Sequence, residues 1–336
     1  MEKVNRIVGI DYLKTFGIYL MILGHSPFLP YKIETVIYSF HMPLFFFISG
    51  VLYKDVEFDK ILKGGIRSLL IPYLLINLMC LGMWSATECF HGNFLWSSFL
   101  SRIGAVSLGL GIERFGLIPV CAPTWFFLAL FWSRLATCLF IRRIHGRFSK
   151  IIFIIILLLL LHLLNNFKIQ LPFALSSALM ALPIMLFAFE YKRTFFLEKS
   201  AKYQVTILFI ALLLAVPSFI INNQKGRCDM DAVWFGESIM LYYIDAIASC
   251  VFLFILFNRL TRESTMITNI SIGTIAIVGF HLTIAYCVCK LDIWQFFNSI
   301  IASIVESLLV LIVCYPIILI SKIYFPILIG KKRKYE

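Results

Sequence analysis

The sequence predicts an all-α polytopic membrane protein with about ten transmembrane helices, and three observations predict it: the composition, the length of the apolar blocks and the placement of the charges. Of the 336 residues, 61% are hydrophobic and only 14% are charged, and the mean hydropathy is +0.92. A soluble domain is about 45–50% apolar. A single soluble core of this length cannot bury so much apolar surface, whereas a lipid bilayer can cover it.

The apolar residues occur in blocks of about 20, the length at which an α-helix crosses a bilayer. These blocks are too long and too unbroken for an outer-membrane β-barrel, whose strands alternate apolar and polar residues. The predicted spans are 8–25, 35–53, 69–87, 121–140, 151–164, 173–190, 203–221, 233–257, 269–289 and 296–324.

Basic residues are distributed unevenly between the two sides of the membrane. With the N-terminus in the cytoplasm, most of the 30 Lys and Arg residues fall in cytoplasmic segments, including a basic cytoplasmic tail at 331–336. This bias predicts both termini in the cytoplasm. The chain is expected to be a multi-pass protein of the cell (inner) membrane. The bias also explains the net charge of +12 without a nucleic-acid partner. The outer side holds only Lys32, Arg102, Arg114, Lys168, Lys225, Arg227 and Lys290.

The chain reads as a single integral-membrane domain over residues 1–336, because no polar segment is long enough to fold as a soluble domain. The largest outer segment is 88–120, and its position predicts that it influences the choice of substrate. A shorter polar outer loop covers 222–232. No internal repeat is visible, which counts against transporters built from inverted repeats. The nine cysteines lack ligand spacing, so no metal site is predicted.

The first predicted span contains three ionisable residues, which are costly in lipid and usually face a cavity or a partner. Asp11 and Lys14 are three positions apart, so they share a helix face and can pair. His25 lies only about 20° from Lys14 around the helix axis and about 16 Å along it. A histidine can take a proton from a hydroxyl and return it. The alternative is an interface histidine above a structural ion pair.

The second predicted span carries a histidine and a pair of small residues. His41 precedes Pro43 near the predicted start of the helix, where a proline costs little, and is expected to face the cavity that holds the first-span histidine. Ser49 and Gly50 permit close approach of another helix or of a ligand.

Other notable residues lie at the edges of the spans or inside them. Arg67, at the cytoplasmic edge of the third span, either anchors the helix or holds a phosphate. Trp125, at the start of the fourth span, is typical of an aromatic belt at the membrane interface. Further polar residues predicted inside spans, some of which must pair, are Arg134, Glu237, Asp245, His281 and Glu306.

Taken together, three stretches resemble the membrane acyltransferase-3 family, and within it the fucose 4-O-acetylase-like branch. They are Asp11-x-x-Lys14 followed by His25, the run Phe40-His-Met-Pro-Leu-Phe-Phe-Phe-Ile-Ser-Gly50, and Arg67-x-x-x-Ile-Pro-Tyr73. Trp125-Phe126 and Gly273…His281 fit the family's looser pattern. The match is dense over residues 6–75 and thinner afterwards.

The resemblance implies transfer of an acetyl group from acetyl-CoA in the cytoplasm to a hydroxyl of a cell-envelope saccharide or lipid-linked sugar. The basic residue and histidine that the family carries in helix 1 correspond to Lys14 and His25. Many members have arginine at the first of these positions, and lysine keeps the charge but loses the bidentate fork. No metal is implied.

The resemblance also suggests roles for the catalytic residues. His25 would deprotonate the sugar hydroxyl or briefly carry the acetyl group. Asp11 would pair with Lys14 and shape the channel, and His41 would orient His25 or hold the acceptor.

The donor would be held from the cytoplasmic side. Arg67, with Arg142 or Arg143, would meet the phosphates of acetyl-CoA, and Ser49 and Gly50 would allow close approach of the ligand. Because His25 is predicted near the outer end of helix 1, the donor must reach deep into the protein or an acetylated intermediate must bridge the gap. The alternative function is a saccharide transporter or flippase, which would consume no thioester.

Overall fold

The computed structural model describes residues 7–195 and 201–331, and over these residues the chain is helical without an extended sheet. The predicted tail positions 332–336 lie outside the described residues. The α-helices are α1 (Val8–Gly24), α2 (Tyr31–Val51), α3 (Phe58–Gly65), α4 (Ile71–Phe90), α5 (Trp96–Leu108), α6 (Trp125–Arg143), α7 (Arg147–Asn166), α8 (Leu175–Phe195), α9 (Ala201–Asn222), α10 (Ile239–Phe257), α11 (Thr265–Ile272), α12 (Thr274–Val288) and α13 (Ser299–Ile323).

The helix lengths confirm the predicted class of polytopic, all-α membrane protein. Among the described residues, eight helical segments are long and apolar enough to cross a membrane, and α11 with α12 makes a ninth if the bent pair is one span. Helix α1 has 17 residues. That is about 26 Å of helix, close to the roughly 30 Å of a hydrocarbon core. The sidedness stays a prediction, and the end of the bundle that the charges assign to the outside is called the outer end below.

Several predicted boundaries change in the structure. The third span belongs to a helical run of 33 residues, Phe58–Phe90, which includes a π-helical turn at Ile66–Leu70. The unbroken ninth span is wrong, because α11 and α12 meet at an angle of 82° around Gly273. A side chain at Gly273 would overlap Ile318 of α13, so glycine lets the bend pack against that helix.

Helix α2 starts earlier than predicted, directly after Pro30. Pro43 therefore lies inside the helix and not near its first turn, so that prediction is wrong. An interior proline lacks the N–H group for one helical hydrogen bond. Because α2 begins at Tyr31, His41 is a buried residue in the middle of the helix, two positions before Pro43.

Burial separates central helices from peripheral ones. Helix α1 contacts α2, α10, α11, α12 and α13 and lies in the interior of the bundle. Helices α7 and α9 have only 17% of their most apolar segment buried within the protein, against 67% for α8. The exposed Ile, Leu and Phe side chains of α7 and α9 are therefore the ones that face lipid.

Residues 223–238, called the outer cap below, fold into a compact turn at the outer end. Asp229 and Trp234 exchange two backbone hydrogen bonds of 2.9 and 2.8 Å. The buried Asn222 side chain donates to the Phe235 carbonyl at 2.7 Å and accepts from the Ser238 N–H at 2.8 Å. These bonds fix the chain in a non-helical path, so α10 begins at Ile239 and not at residue 233 as predicted.

Candidate active site

A cavity of about 260 Å³ opens at the outer end between α1, α2, α6, α12 and the outer cap. Its wall is largely apolar with a few converging polar groups, as in most small-molecule sites. The polar lining residues are His25, Tyr38, His41, Arg227, Asp229, Asp231 and Thr274. The apolar ones include Met21, Met42, Phe45, Trp125, Phe126 and Phe127.

His25 is placed at the cavity by the end of α1. The helix stops at Gly24, and His25 is its C-cap residue, so the imidazole lies where the helix gives way to the cavity. Its Nδ1 atom is 3.4 Å from the Tyr38 hydroxyl on α2. This contact links the first two spans at the rim of the site.

His41 reaches the same cavity from α2. It is buried, and its Nδ1 is 2.8 Å from the carbonyl oxygen of Ile37. Because a carbonyl can only accept, Nδ1 carries the proton and Nε2 of the neutral ring keeps its lone pair. The Tyr38 ring packs 4.9 Å from the His41 ring, between the two histidines in sequence and in space. The structure thus brings His25 and His41 together, while their chemical roles stay predictions.

A third histidine, His281, joins this group from α12 and was not among the predicted site residues. Its ring centre is 5.3 Å from that of His25. Its Nδ1 bonds the Ile277 carbonyl at 2.9 Å, and its buried Nε2 has no hydrogen-bond partner among the described residues. The sequence signal was weak, since a lone histidine in an apolar span is usually a packing residue.

Asp11 and Lys14 lie toward the other end of α1, outside the cavity wall. Asp11 is buried and accepts a 2.6 Å hydrogen bond from the Ser271 hydroxyl on α11. Lys14 is half-buried. The structure does not bring these two residues to His25, and their predicted role in catalysis stays a prediction.

The predicted donor-binding residues also lie away from the cavity. Arg67 is half-buried in the π-helical turn. Arg142 and Arg143 are exposed in the last turn of α6, about 25 Å along the helix from its cavity end. Ser49 is half-buried, and Gly50 lies so close to α8 that a Cβ atom would overlap the Met185 carbonyl. The group that lies close to Gly50 in the structure is therefore helix α8.

Trp125 lines the cavity and is only 8% exposed, so its predicted place in an interfacial aromatic belt is wrong. The short turn Ala122–Thr124 directs the start of α6 inward. That turn is anchored by Thr124, whose hydroxyl donates to the Cys121 carbonyl at 2.7 Å and accepts from the buried Asn77 side chain at 3.0 Å.

Other polar residues predicted inside spans find partners outside the cavity. Asp245 accepts from Ser249 at 3.2 Å, and Glu306 accepts from Ser307 at 3.3 Å. The placement of Glu237 in a span is wrong, because it lies in the outer cap and pairs with Lys225 at 2.6 Å.

The outer cap supplies charges that sequence reasoning did not assign to the site. Arg227 pairs with Glu34 of α2 and stacks 4.0 Å above the Tyr38 ring. Burial raises the pKa of the Asp231 carboxyl well above its usual value, the nearby Asp229 raises it further, and Arg114 opposes both effects. The polar loop at 222–232 was the available signal, but nothing in it indicated which side chains turn inward.

Fold and site thus define a polytopic helical membrane protein in which His25 and His41 line one cavity and His281 packs against His25. The family model for acyltransferase 3, described as an acyltransferase domain, matches residues 7–321. The chain belongs to this family, as predicted from residues 6–75, and it is a membrane acyltransferase. No curated protein and no solved structure matches the chain.

Proposed function

We propose that the protein transfers an acetyl group from acetyl-CoA to a hydroxyl of a cell-envelope saccharide or lipid-linked sugar in the cell membrane. The observation that carries this proposal is the meeting of His25 and His41 at one cavity in a chain of the acyltransferase family. In the reaction, the sugar oxygen bonds to the thioester carbonyl carbon, the carbon–sulfur bond breaks, and the hydroxyl proton passes through a histidine to the CoA sulfur.

His25 is the base in this scheme. When its Nδ1–H donates to the Tyr38 oxygen, Nε2 is unprotonated and free to accept the hydroxyl proton. His41 presents the lone pair of Nε2 to the same space, so it can accept a hydrogen bond from the sugar and orient it. The His25 ring then returns its proton to the departing thiolate.

The apolar wall supports acyl transfer to a sugar over transfer to water. Phe45, Phe126 and Phe127 border the cavity and leave little room for bulk solvent around the thioester. Exclusion of water suppresses hydrolysis of a reactive acyl donor and strengthens electrostatic interactions within the site.

The donor approaches from the opposite end of the bundle. Thr274 and Ile275 line the cavity and directly follow the bend at Gly273, which adjoins the inner part of α1 through the Ser271–Asp11 contact. The pantetheine arm would follow this bend toward His25, while Arg67 and the arginines that end α6 would meet the CoA phosphates at the cytoplasmic edge.

The test is transfer of radiolabel from acetyl-CoA to saccharide by the purified full-length protein. His25→Ala is expected to lower the rate at least about 100-fold, the usual contribution of a positioned acid or base. His162→Ala is the matched control, since this histidine of α7 bonds only Asn166 near the membrane surface. Transfer retained in His25→Ala would remove that residue from the chemistry, and a wild-type protein that consumes no thioester would favour the flippase.

A further inference from the structure

The outer cap brings two carboxylates to the mouth of the cavity, and they differ in what they bind. The Asp229 carboxylate accepts hydrogen bonds from the backbone N–H groups of Asp231 at 2.9 Å and Ala232 at 3.3 Å. Arg227 approaches it to 3.7 Å. Asp229 is therefore engaged in shaping the turn of the cap.

The backbone of Asp231 is fixed by hydrogen bonds, and these bonds do not involve its carboxylate. Its N–H donates to Asp229, and its carbonyl accepts a 2.7 Å hydrogen bond from the Gln170 side chain. Asp231 lines the cavity and is half-buried, so its carboxylate is within reach of a ligand there. A carboxylate in such a place needs hydrogen-bond donors to offset its lost hydration.

An aromatic ring lies directly beside this carboxylate. Gly111 is buried between them, and a Cβ at that position would overlap both the Asp231 carboxylate and the Trp125 ring. The glycine thus allows carboxylate and indole to form one corner of the cavity. A pyranose suits this corner, because its C–H face packs on an aromatic ring while its hydroxyls reach the carboxylate.

A donor without a partner lies near the Asp231 carboxylate. The Nε atom of Arg114 is buried and makes no hydrogen bond among the described residues. Arg114 is also the cation that acts electrostatically on Asp231. A sugar hydroxyl both donates and accepts, so one ring could satisfy the Asp231 carboxylate and a donor beside it. The cavity volume of about 260 Å³ suits one sugar ring.

We propose, on the basis of the proposed function, that Asp231 and Trp125 form the acceptor subsite and select an uncharged pyranose over an acidic one. The Asp231 carboxylate accepts hydrogen bonds from sugar hydroxyls while the ring lies against the indole. With Asp229 beside it, the same carboxylate repels a sugar that carries its own carboxylate.

The experiment uses purified full-length protein, radiolabelled acetyl-CoA and two probes: methyl glucopyranoside, which is neutral, and methyl glucuronopyranoside, which is acidic. The wild-type KM for the neutral probe is expected to be at least about tenfold lower than for the acidic one. Asp231→Asn keeps the shape and is expected to raise the neutral-probe KM about tenfold, the effect of weakening a charged hydrogen bond. Glu237→Gln, a carboxylate-to-amide change elsewhere in the outer cap, is expected to leave both values unchanged.

Hydrolysis of acetyl-CoA without sugar separates the outcomes. Glu237→Gln is expected to keep the wild-type hydrolysis rate, since its side chain pairs with Lys225 away from the cavity. An unchanged neutral-probe KM in Asp231→Asn, or equal use of both probes by the wild type, overturns the acceptor subsite. Consumption of acetyl-CoA with neither probe acetylated overturns it too. If the wild type consumes no acetyl-CoA, it is the proposed function that fails.

Discussion

The two ends of α1 both place polar groups inside the membrane, yet the structure treats them differently. At the inner end Asp11 bonds Ser271, and Thr15 donates to the Ile267 carbonyl at 3.3 Å, so helices α1 and α11 are joined. At the outer end His25 and His41 border open space. Polar groups are costly in lipid at either end, so the difference lies in whether the protein itself fills the space around them.

This contrast separates polar residues that hold helices together from polar residues that border a cavity. The inner arrangement continues through Asn269, which accepts from Lys322 at 3.0 Å and donates to Tyr315 at 3.1 Å. At the outer end the buried Nε2 of His281 has no such partner among the described residues. Substitutions at the two ends should therefore affect different properties, stability at one and transfer at the other.

The largest effect is expected from His25→Ala in the living cell. A cell that lacks the gene and carries this variant should lose the acetyl groups of the modified envelope saccharide, because the group proposed to accept the hydroxyl proton is gone. The mass of the surface saccharides measures this, with wild type and His162→Ala as references and with membrane insertion checked by immunoblot. Full acetylation in the variant would show that transfer does not need His25. The polar groups at the outer end of α1 would then only stabilise the fold, as those at the inner end do.

The next effect concerns pH. Because the pKa of Asp231 is raised, this group protonates at a higher pH than an ordinary aspartate. The KM for a neutral sugar should rise about tenfold as pH falls through that pKa, since the neutral acid is a weaker acceptor. Asp229, Arg227 and His25 face the same space, so Asp231→Asn is the reference, with a flatter KM profile.

The raised pKa of Asp231 also predicts how folding stability depends on pH, and here the ionised carboxylate is the unfavourable form. With a folded-state pKa above the unfolded one, the folded state binds more protons, so stability falls as pH rises between the two values. Asp231→Asn removes this loss and should unfold at a higher temperature than wild type at neutral pH. A variant that gains stability while it loses acceptor affinity fits a ligand-facing carboxylate; one that loses both would indicate a structural carboxylate.

A smaller effect is expected where the space between helices is full. Gly50→Ala places a methyl group against the Met185 carbonyl and Ala188 of α8 and should cost about 1–3 kcal/mol, as overpacking does. Thermal unfolding in detergent measures it. Gly82→Ala is the control, since nothing lies within 4 Å of a Cβ there. Altered donor KM with unchanged stability would instead place a ligand at Gly50.

The smallest effect is expected at the inner end of α1. Ser271→Ala removes the hydrogen bond to Asp11 and should lower stability by about 1 kcal/mol, the usual size for a polar contact between membrane helices. Ser85→Ala is a comparison, because that hydroxyl bonds only its own helix at Leu81. Equal unfolding temperatures for the two variants would show that the contact adds no stability.

The helical bundle and the family could be predicted from the sequence because both depend on local features. Apolar blocks predict the spans, and the polar residues of the first two spans carry the family resemblance. His41 lines the cavity with His25, although the predicted helix start just before it was wrong. The bend at Gly273 could not be predicted, since its cause is a contact with Ile318 far along the chain.

The residues that line the outer side of the cavity could be predicted only in part. The outer segment 88–120 was expected to influence substrate choice, and its Gly111 does border the cavity. The outer cap contributes more, with Arg227, Asp229 and Asp231. The fold of the outer cap depends on side-chain hydrogen bonds such as those of Asn222. Such bonds produce no periodic pattern in the sequence, so the fold could not be predicted from it.

The shortness of α1 has a consequence for where the chemistry happens. Helix α1 has 17 residues and its neighbour α13 has 25, so their lengths are about 26 and 38 Å. Since α1 is surrounded by protein, the bilayer does not need to thin around it. The difference is taken up by the protein around α1, and the helix ends at the cavity. Under the proposed function, a sugar on a lipid carrier would meet His25 at this helix end while its tail stays anchored in the leaflet.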